Sequence, residues 1–247
     1  MLNREEERRV NAELYFTAGD FAPEAAQGKT AVVIDVLRAT SVIVTAVSHG
    51  AAAVVPFGTV ELARAYAEGA SVPVALGGER GAVKIDGFDY GNSPLEYRTS
   101  LLAGVEVALT TTNGTRALTR ARDADTLYVL CMRNIGAAVD RVASDGQDIV
   151  VVCAGTCGRF SADDALCAGI FLDRLLERTG ARLDDAGQFA ADYARMGLAG
   201  GREPAELLSE CAHLKRLREK GFDADIVFCF DIDADDTVPV MRDGRIK

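Results

Sequence analysis

Apolar and polar positions along the chain repeat one unit: a short apolar run, a polar break, then a stretch with helical spacing. Ala31-Val32-Val33-Ile34 is an unbroken apolar run that stops at Asp35, the pattern of a strand buried on both faces. From Thr40 or Ser41 to about His49 the spacing is helical; either hydroxyl can cap the start, and Gly50 ends it. The same logic predicts strands at 52–56, 72–76, 106–109, 126–131, 149–153, 226–230 and 238–241. Helices are expected at 60–68, 114–122, 135–144 and 162–178, and over 184–220 with an interruption near 197–201. Between 77 and 97 the pattern breaks into Gly77, Gly78, Gly81, Gly87 and Gly91 with charges and Pro94, a long loop with one short strand. Strands alternating with helices predict an α/β fold: three layers, a mostly parallel or mixed sheet with helices on both faces, and one domain over 1–247, built if need be as two closely packed lobes. In such folds ligands bind beyond the carboxyl ends of the strands, so the polar loops that follow strands are the places to look for chemistry.

Composition narrows the partners. Of 247 residues, 49% are apolar, enough for a sizeable core, and 27 Lys and Arg face 37 Asp and Glu, a formal net charge of -10. That balance argues against nucleic acid and against an anionic membrane surface. It leaves room for a small anionic substrate held by a local cluster of cations. No apolar run reaches the roughly 18 residues of a membrane span. The charged start, 1–9, lacks the apolar segment of a signal peptide, so a cytoplasmic protein is expected. The cysteines at 131, 153, 157, 167, 211 and 229 form no C-x-x-C pair, and with only His49 and His213 beside them a zinc site is not expected. A homodimer is expected on base rate alone.

Polar loops carry the candidate chemistry. Asp35-Val36-Leu37-Arg38-Ala39-Thr40-Ser41 sets a carboxylate at a strand end and a cation three residues on; the same Asp also reads as a turn or cap residue. Gly77-Gly78-Glu79-Arg80-Gly81-Ala82-Val83-Lys84 offers backbone N–H groups to an anion, Glu79 to a hard cation, and Arg80 and Lys84 to phosphate; its plain reading is a hairpin with surface charges. Asn92-Ser93-Pro94 reads first as a helix start capped by Ser93. Thr110-Thr111-Thr112-Asn113-Gly114-Thr115-Arg116 places hydroxyls and N–H groups at a helix N-terminus, a ready anion site, or simply a capped helix. Cys153 to Arg159 has the Cys-x5-Arg spacing of cysteine phosphatases, but Val152 stands where those enzymes carry His, and a cysteine ending an apolar strand is commonly structural. Asp231-Ile232-Asp233 follows the Asp-x-Asp pattern of aspartyl-phosphate phosphatases, with only 11 residues after Asp236 to supply the other parts, so it reads as an acidic loop. Cations at Arg38, Arg80, Lys84, Arg116 and Arg159, interleaved with carboxylates, suggest a polyanion bound with Mg²⁺, which takes oxygen ligands and bridges to phosphate.

Read together, these segments resemble the 2-phosphosulfolactate phosphatase (ComB) family. The resemblance is carried by Ile34 to Ser41, Gly77-Gly78-Glu79-Arg80, Lys84-Ile85, Gly87-Phe88-Asp89, Gly91-Asn92-Ser93-Pro94, Thr110 to Ala117, and Ala154-Gly155-Thr156 with Phe160-Ser161, in that order. It covers about 31–169. Met132-Arg133-Asn134 stands where the family more often has small residues and a Phe, and Asp163-Asp164 where Glu-Asp is common. The resemblance implies an α/β fold and a Mg²⁺-dependent phosphatase that converts 2-phospho-3-sulfolactate to 3-sulfolactate and phosphate, a step toward coenzyme M. On that expectation Asp35 and Glu79 are metal ligands or the base, and Asp164 is a further catalytic candidate. Arg38, Arg80, Lys84 and Arg116 bind phosphate or sulfonate, and Asn92, Asn113 and Thr115 orient oxygens. The alternatives are a phosphatase for another phosphorylated hydroxy acid and a non-catalytic protein that binds a phosphorylated metabolite.

Overall fold

A computed structural model describes residues 9–247. The strands are β1 (Asn11–Tyr15), β2 (Thr30–Ile34), β3 (Ala53–Pro56), β4 (Val74–Arg80), β5 (Val83–Lys84), β6 (Glu106–Thr110), β7 (Thr126–Leu130), β8 (Ile149–Cys153), β9 (Arg182–Leu183), β10 (Val240–Arg242) and β11 (Arg245–Ile246). The helices are α1 (Ala39–Ser48), α2 (Val60–Gly69), α3 (Gly114–Ala121), α4 (Ile135–Asp145), α5 (Ala162–Thr179), α6 (Asp185–Gly197), α7 (Pro204–Leu207), α8 (Ala212–Glu219) and α9 (Asp223–Cys229). Among the described residues the strands form one mixed sheet in the order β5-β4-β6-β3-β11-β10-β7-β2-β8-β1-β9. It is an α/β fold with helices on both faces, as the alternation of elements requires.

The sheet holds two parallel runs, β4-β6-β3 and β7-β2-β8-β1-β9, joined by the antiparallel β10–β11 hairpin. β10 lies antiparallel to β7 and β11 antiparallel to β3, so the runs point in opposite directions. Period-two alternation divides the core. Val32 and Ile34 of β2 face one side with residues of α4, α5 and α6, while Ala31 and Val33 face α1 and α3. Val107 and Leu109 of β6 join that second cluster, and Ala108 between them packs with Ala63 of α2 and with Phe88. Helices α1 and α3 thus pack against both runs. This brings the end of β2 and the ends of β4 and β6 to a common cleft.

Several expectations are corrected. Residues 226–230 are not a strand but most of α9: Ile226, Cys229 and Phe230 are buried while Val227 is 72% exposed, a helical spacing, and Asp223 and Asp225 sit in the first turn where the helix dipole favours them. The strand expected at 72–76 runs on through both glycines to Arg80. Gly78 (φ +149°) needs no side chain there, since a Cβ would meet the Thr110 carbonyl oxygen of the paired strand. Neither Thr40 nor Ser41 caps α1; Arg38 holds the cap position, and the Thr40 hydroxyl bonds back to the Asp35 carbonyl at 2.8 Å. Pro94 opens only a short 3₁₀ turn, and Ser93 donates to Asp225 rather than capping it. β1, β9 and β11 have no clear pattern in the sequence and are not among the expected strands. The charged start falls, apart from Arg9, outside the described residues. No helix among them is long and apolar enough to cross a membrane.

Candidate active site

Asp35 follows β2 directly. Its Oδ1 accepts the Ala39 N–H at 3.3 Å, and its Oδ2 takes no hydrogen bond from the described residues. The side chain is buried at the floor of a cleft of about 300 Å³, which it shares with Arg38, Glu79, Asn92 and Asn113. Burial pushes the Asp35 carboxyl up to about 7; His213 and the Ala39 N–H oppose the shift, and the Asp163 and Glu79 carboxylates add to it. The N-terminus of α3 is packed tightly against this carboxylate. A Cβ on Gly114 would sit 2.7 Å from Asp35 Oδ2 and 2.4 Å from the Ala39 methyl, so only glycine lets the helix come so near.

Glu79, near the end of β4, ties three segments together. Its Oε1 accepts from the N–H and the hydroxyl of Thr112, both at 2.8 Å, and its Oε2 accepts the Ala82 N–H at 2.7 Å. Asp164, in the first turn of α5, accepts the Val36 N–H at 2.9 Å and the Gly155 N–H at 3.0 Å, one on each oxygen. It is buried, holds the loops after β2 and β8 in place, and stands off the cleft wall. Burial raises its carboxyl well above the usual range, with Asp163 and Asp35 adding to the effect.

The other expected residues divide. Arg38 lines the cleft, but its charge is matched: Nη1 lies 2.6 Å from Asp225 Oδ2, both side chains are buried, and the guanidinium stacks 3.9 Å from the Phe222 ring centroid. Asn92 and Asn113 are in the wall, and Asn113 Oδ1 accepts the Cys157 N–H at 3.2 Å. Lys84 lines an adjoining pocket that shares Arg38, Asn92 and Lys220 with the cleft. Thr115 is buried and bonds back to the Thr111 carbonyl at 2.9 Å. Arg80 and Arg116 are exposed and off the cleft wall; Arg80 donates to the Glu79 carbonyl and to the Thr110 hydroxyl. The cysteine-nucleophile reading is overturned. Cys153 is fully buried in the core, off the cleft, and burial raises its thiol well above the usual value.

Sequence reasoning missed the part of the lining that α8 and the residue after it supply: His213, Arg216, Leu217 and Lys220 all line the cleft. The outward cations of this helix are paired, Lys215 with Glu210 at 2.7 Å and Arg218 with Asp223 at 3.8 Å. Arg216 and Lys220 have no carboxylate partner among the described residues; Lys220 donates to the Gly81 carbonyl and Arg216 approaches the Cys157 thiol. His213 Nδ1 lies 3.3 Å from Asp163 Oδ2 and 3.2 Å from the Thr156 hydroxyl. Spacing i, i+3, i+7 was legible as one helix face, but a charged face ordinarily meets solvent, and only tertiary packing turns this one over a cleft.

Among the described residues no three His, Cys, Asp or Glu side chains form a metal cage. Asp35 keeps one oxygen uncommitted, and Glu79, whose oxygens offer about four acceptor positions, spends three. This donor set fits a hard cation that keeps most of its water and shares a substrate's phosphate, the usual habit of Mg²⁺.

Residues 15–244 match the family model described as 2-phosphosulpholactate phosphatase. Several relatives carry the name probable 2-phosphosulfolactate phosphatase. The protein of Clostridium tetani is 37% identical over 238 residues, 96% of this chain and 100% of that one. That of Caldanaerobacter subterraneus is 39% identical over 220 residues, 89% of this chain and 90% of the relative. That of Thermotoga petrophila is 44% identical over 217 residues, 87% and 90% respectively. Asp35 and Glu79 lie within the matched segment, as do the cations of α8, and with the match spanning nearly the whole chain, this protein belongs to the 2-phosphosulfolactate phosphatase family.

Proposed function

We propose that this protein is a Mg²⁺-dependent phosphomonoesterase that hydrolyses 2-phospho-3-sulfolactate to 3-sulfolactate and inorganic phosphate. The setting is the cytoplasm, as a step toward coenzyme M in organisms that make it. The observation that carries the reading is the composition of the cleft: its lining combines the buried carboxylates Asp35 and Glu79 with two cations that have no carboxylate partner among the described residues, Arg216 and Lys220. A substrate bearing phosphate, sulfonate and carboxylate supplies the negative charge those cations lack.

Asp35 and Glu79 would hold the Mg²⁺, which supplies charge neutralisation at the phosphoryl oxygens. Asn113, beside the N-terminus of α3 and with its side-chain N–H groups not spent on any described residue, is placed to orient those oxygens against Asp35. Arg216 and Lys220 would take the acid end, with Lys84 in the adjoining pocket. Asp164 keeps the Asp35 loop in register through the Val36 N–H. Water is the phosphoryl acceptor. The test is phosphate release from 2-phosphosulfolactate by the purified protein with Mg²⁺ and with excess EDTA. Release that stops with EDTA and returns with Mg²⁺ is expected. Release indifferent to EDTA rejects the metal, and no release in either buffer rejects the substrate.

A further inference from the structure

We propose that His213 is the general acid of this reaction, its Nε2–H protonating the substrate's ester oxygen as the bond from that oxygen to phosphorus breaks, with Asp163 as the positioning residue that holds the ring. The inference rests on the phosphomonoesterase reading above and assigns a chemical step to a residue outside the expected set.

The geometry is that of an oriented imidazole. Asp163, in the first turn of α5, is fully buried, and Ser161 Oγ donates to its Oδ1 at 2.5 Å. The same oxygen is the hydrogen-bond partner of His213 Nδ1, at 3.4 Å; Oδ2 lies 3.3 Å from Nδ1 but makes no hydrogen bond among the described residues. A buried carboxylate held from behind fixes Nδ1 as the protonated nitrogen on that side. Nε2, across the ring, makes no hydrogen bond with any described residue, and His213 belongs to the wall of the cleft that holds Asp35 and Glu79. Of the other carboxyl groups nearby, Asp164 takes a backbone N–H on each oxygen and Glu79 takes three donors, while Asp35, with one oxygen free of hydrogen bonds from the described residues, is a metal ligand in the reading above.

The groups facing His213 are Asp163 from α5, Asp35 from the end of β2, the hydroxyls of Thr156 and Ser161 from the loop after β8, and Arg216 from its own helix. Burial pulls the imidazole down and Arg216 does the same, but the Asp163 and Asp35 carboxylates outweigh both and hold it above its ordinary value. Asp163 shows the reciprocal effect: burial pushes it up, and His213 and the Ser161 hydroxyl bring it below the usual carboxylate range.

Such an acid answers a chemical need. The leaving group is an aliphatic alkoxide, which departs poorly while it carries a full negative charge. In the step, a bond forms between the oxygen of water and phosphorus while the bond between phosphorus and the substrate's carbon-bound oxygen breaks. The electron pair of the broken bond stays on that oxygen, which takes the Nε2 proton and leaves as the alcohol. The proton released by the attacking water restores the imidazolium.

The experiment measures kcat/KM against pH for the full protein and for His213→Gln and Asp163→Asn, with Mg²⁺. Two esters are compared: 2-phosphosulfolactate, and p-nitrophenyl phosphate, whose phenolate leaves without a proton. His213→Gln is expected to lose at least ~100-fold on the alkyl ester, the usual contribution of general acid catalysis, and to change little on the aryl ester. The alkaline limb of the alkyl-ester profile disappears in His213→Gln and moves to lower pH in Asp163→Asn. Equal losses on both esters, or an alkaline limb that survives in His213→Gln, would overturn the assignment. If His213→Gln does not fold by circular dichroism, the position of the limb in Asp163→Asn decides alone. No release from 2-phosphosulfolactate by the unmodified protein defeats the substrate reading; release by it and equal release by His213→Gln defeats only the role of His213.

Discussion

Replacing Asp225 with Asn tests whether the buried pair with Arg38 holds the cleft together. The change keeps the shape of the side chain and its contact with the Ser93 hydroxyl (2.7 Å), but leaves the Arg38 guanidinium, 2% exposed, without a counter-charge. Its remaining partners are the Ala82 carbonyl at 3.3 Å and the face of Phe222. Breaking a buried pair from one side costs about 3–5 kcal/mol, because a charge stays behind in a poor solvent. At about 2–4 °C per kcal/mol for a chain of this size, the expected fall in Tm is roughly 6–20 °C. Urea unfolding followed by circular dichroism, with m unchanged, measures it. Arg38→Met in the same background should recover much of the loss, since both charges are then gone and an apolar chain still packs on Phe222. A loss below ~1 kcal/mol, the range of exposed pairs, would show that water reaches the guanidinium and would refute the reasoning.

Other outcomes follow from the same site. Asp35 binds its proton more tightly folded (about 7) than unfolded (3.8), so its contribution to stability is present below pH ~4 and is lost as pH rises through 7. Metal-free Asp35→Asn should therefore exceed the unmodified protein in stability at pH 8, by up to about 4 kcal/mol, with the gain vanishing near pH 4, as thermal melts in EDTA would show. Equal melts at pH 8 would contradict a buried anion there. Gly114→Ala sets a methyl against Asp35 and Ala39 and should destabilise by ~1–3 kcal/mol, with a drop in activity larger than the stability loss explains; chemical denaturation and kinetics on one preparation check both. Cys153→Ala should keep Mg²⁺-dependent phosphate release, and loss of all turnover in a folded variant would restore the thiol to the chemistry.

What could be read from the chain, and what could not, separates by range. β2, β3, β7 and β8 are short, mostly apolar runs between stretches of helical spacing, and local pattern suffices for them. The segment from Ile226 to Phe230 has the same composition but helical burial, because a short apolar run has no period of its own and its neighbours decide. At the site, Asp35 and Glu79 were legible because each ends a strand in a polar loop. Arg80 and Arg116 stand in equally suggestive stretches of sequence, but Arg80 ends β4 and Arg116 lies on α3, and both side chains are exposed off the cleft. His213 lies 178 residues from Asp35 in sequence, and nothing near it announces a cleft. The partner of Arg38 is likewise out of reach, since Asp225 lies 187 residues away in a stretch where the local pattern assigns no element.

The hairpin between the two parallel runs is the thinnest seam in the sheet. β2 meets β7 over five residue pairs, but β10 meets β7 over two and β11 meets β3 at one, Ile246 with Val54. If the hairpin lifts away, the sheet does not fray at its rim; it parts in the middle and bares both β3 and β7. Each is a row of unpaired backbone groups flanked by apolar side chains, a template for another copy of the chain. Selection on residues 240–246 would then act less on the cleft than on keeping those rows covered, and substitutions there should surface first as aggregation, before any loss of turnover by the molecules that stay folded.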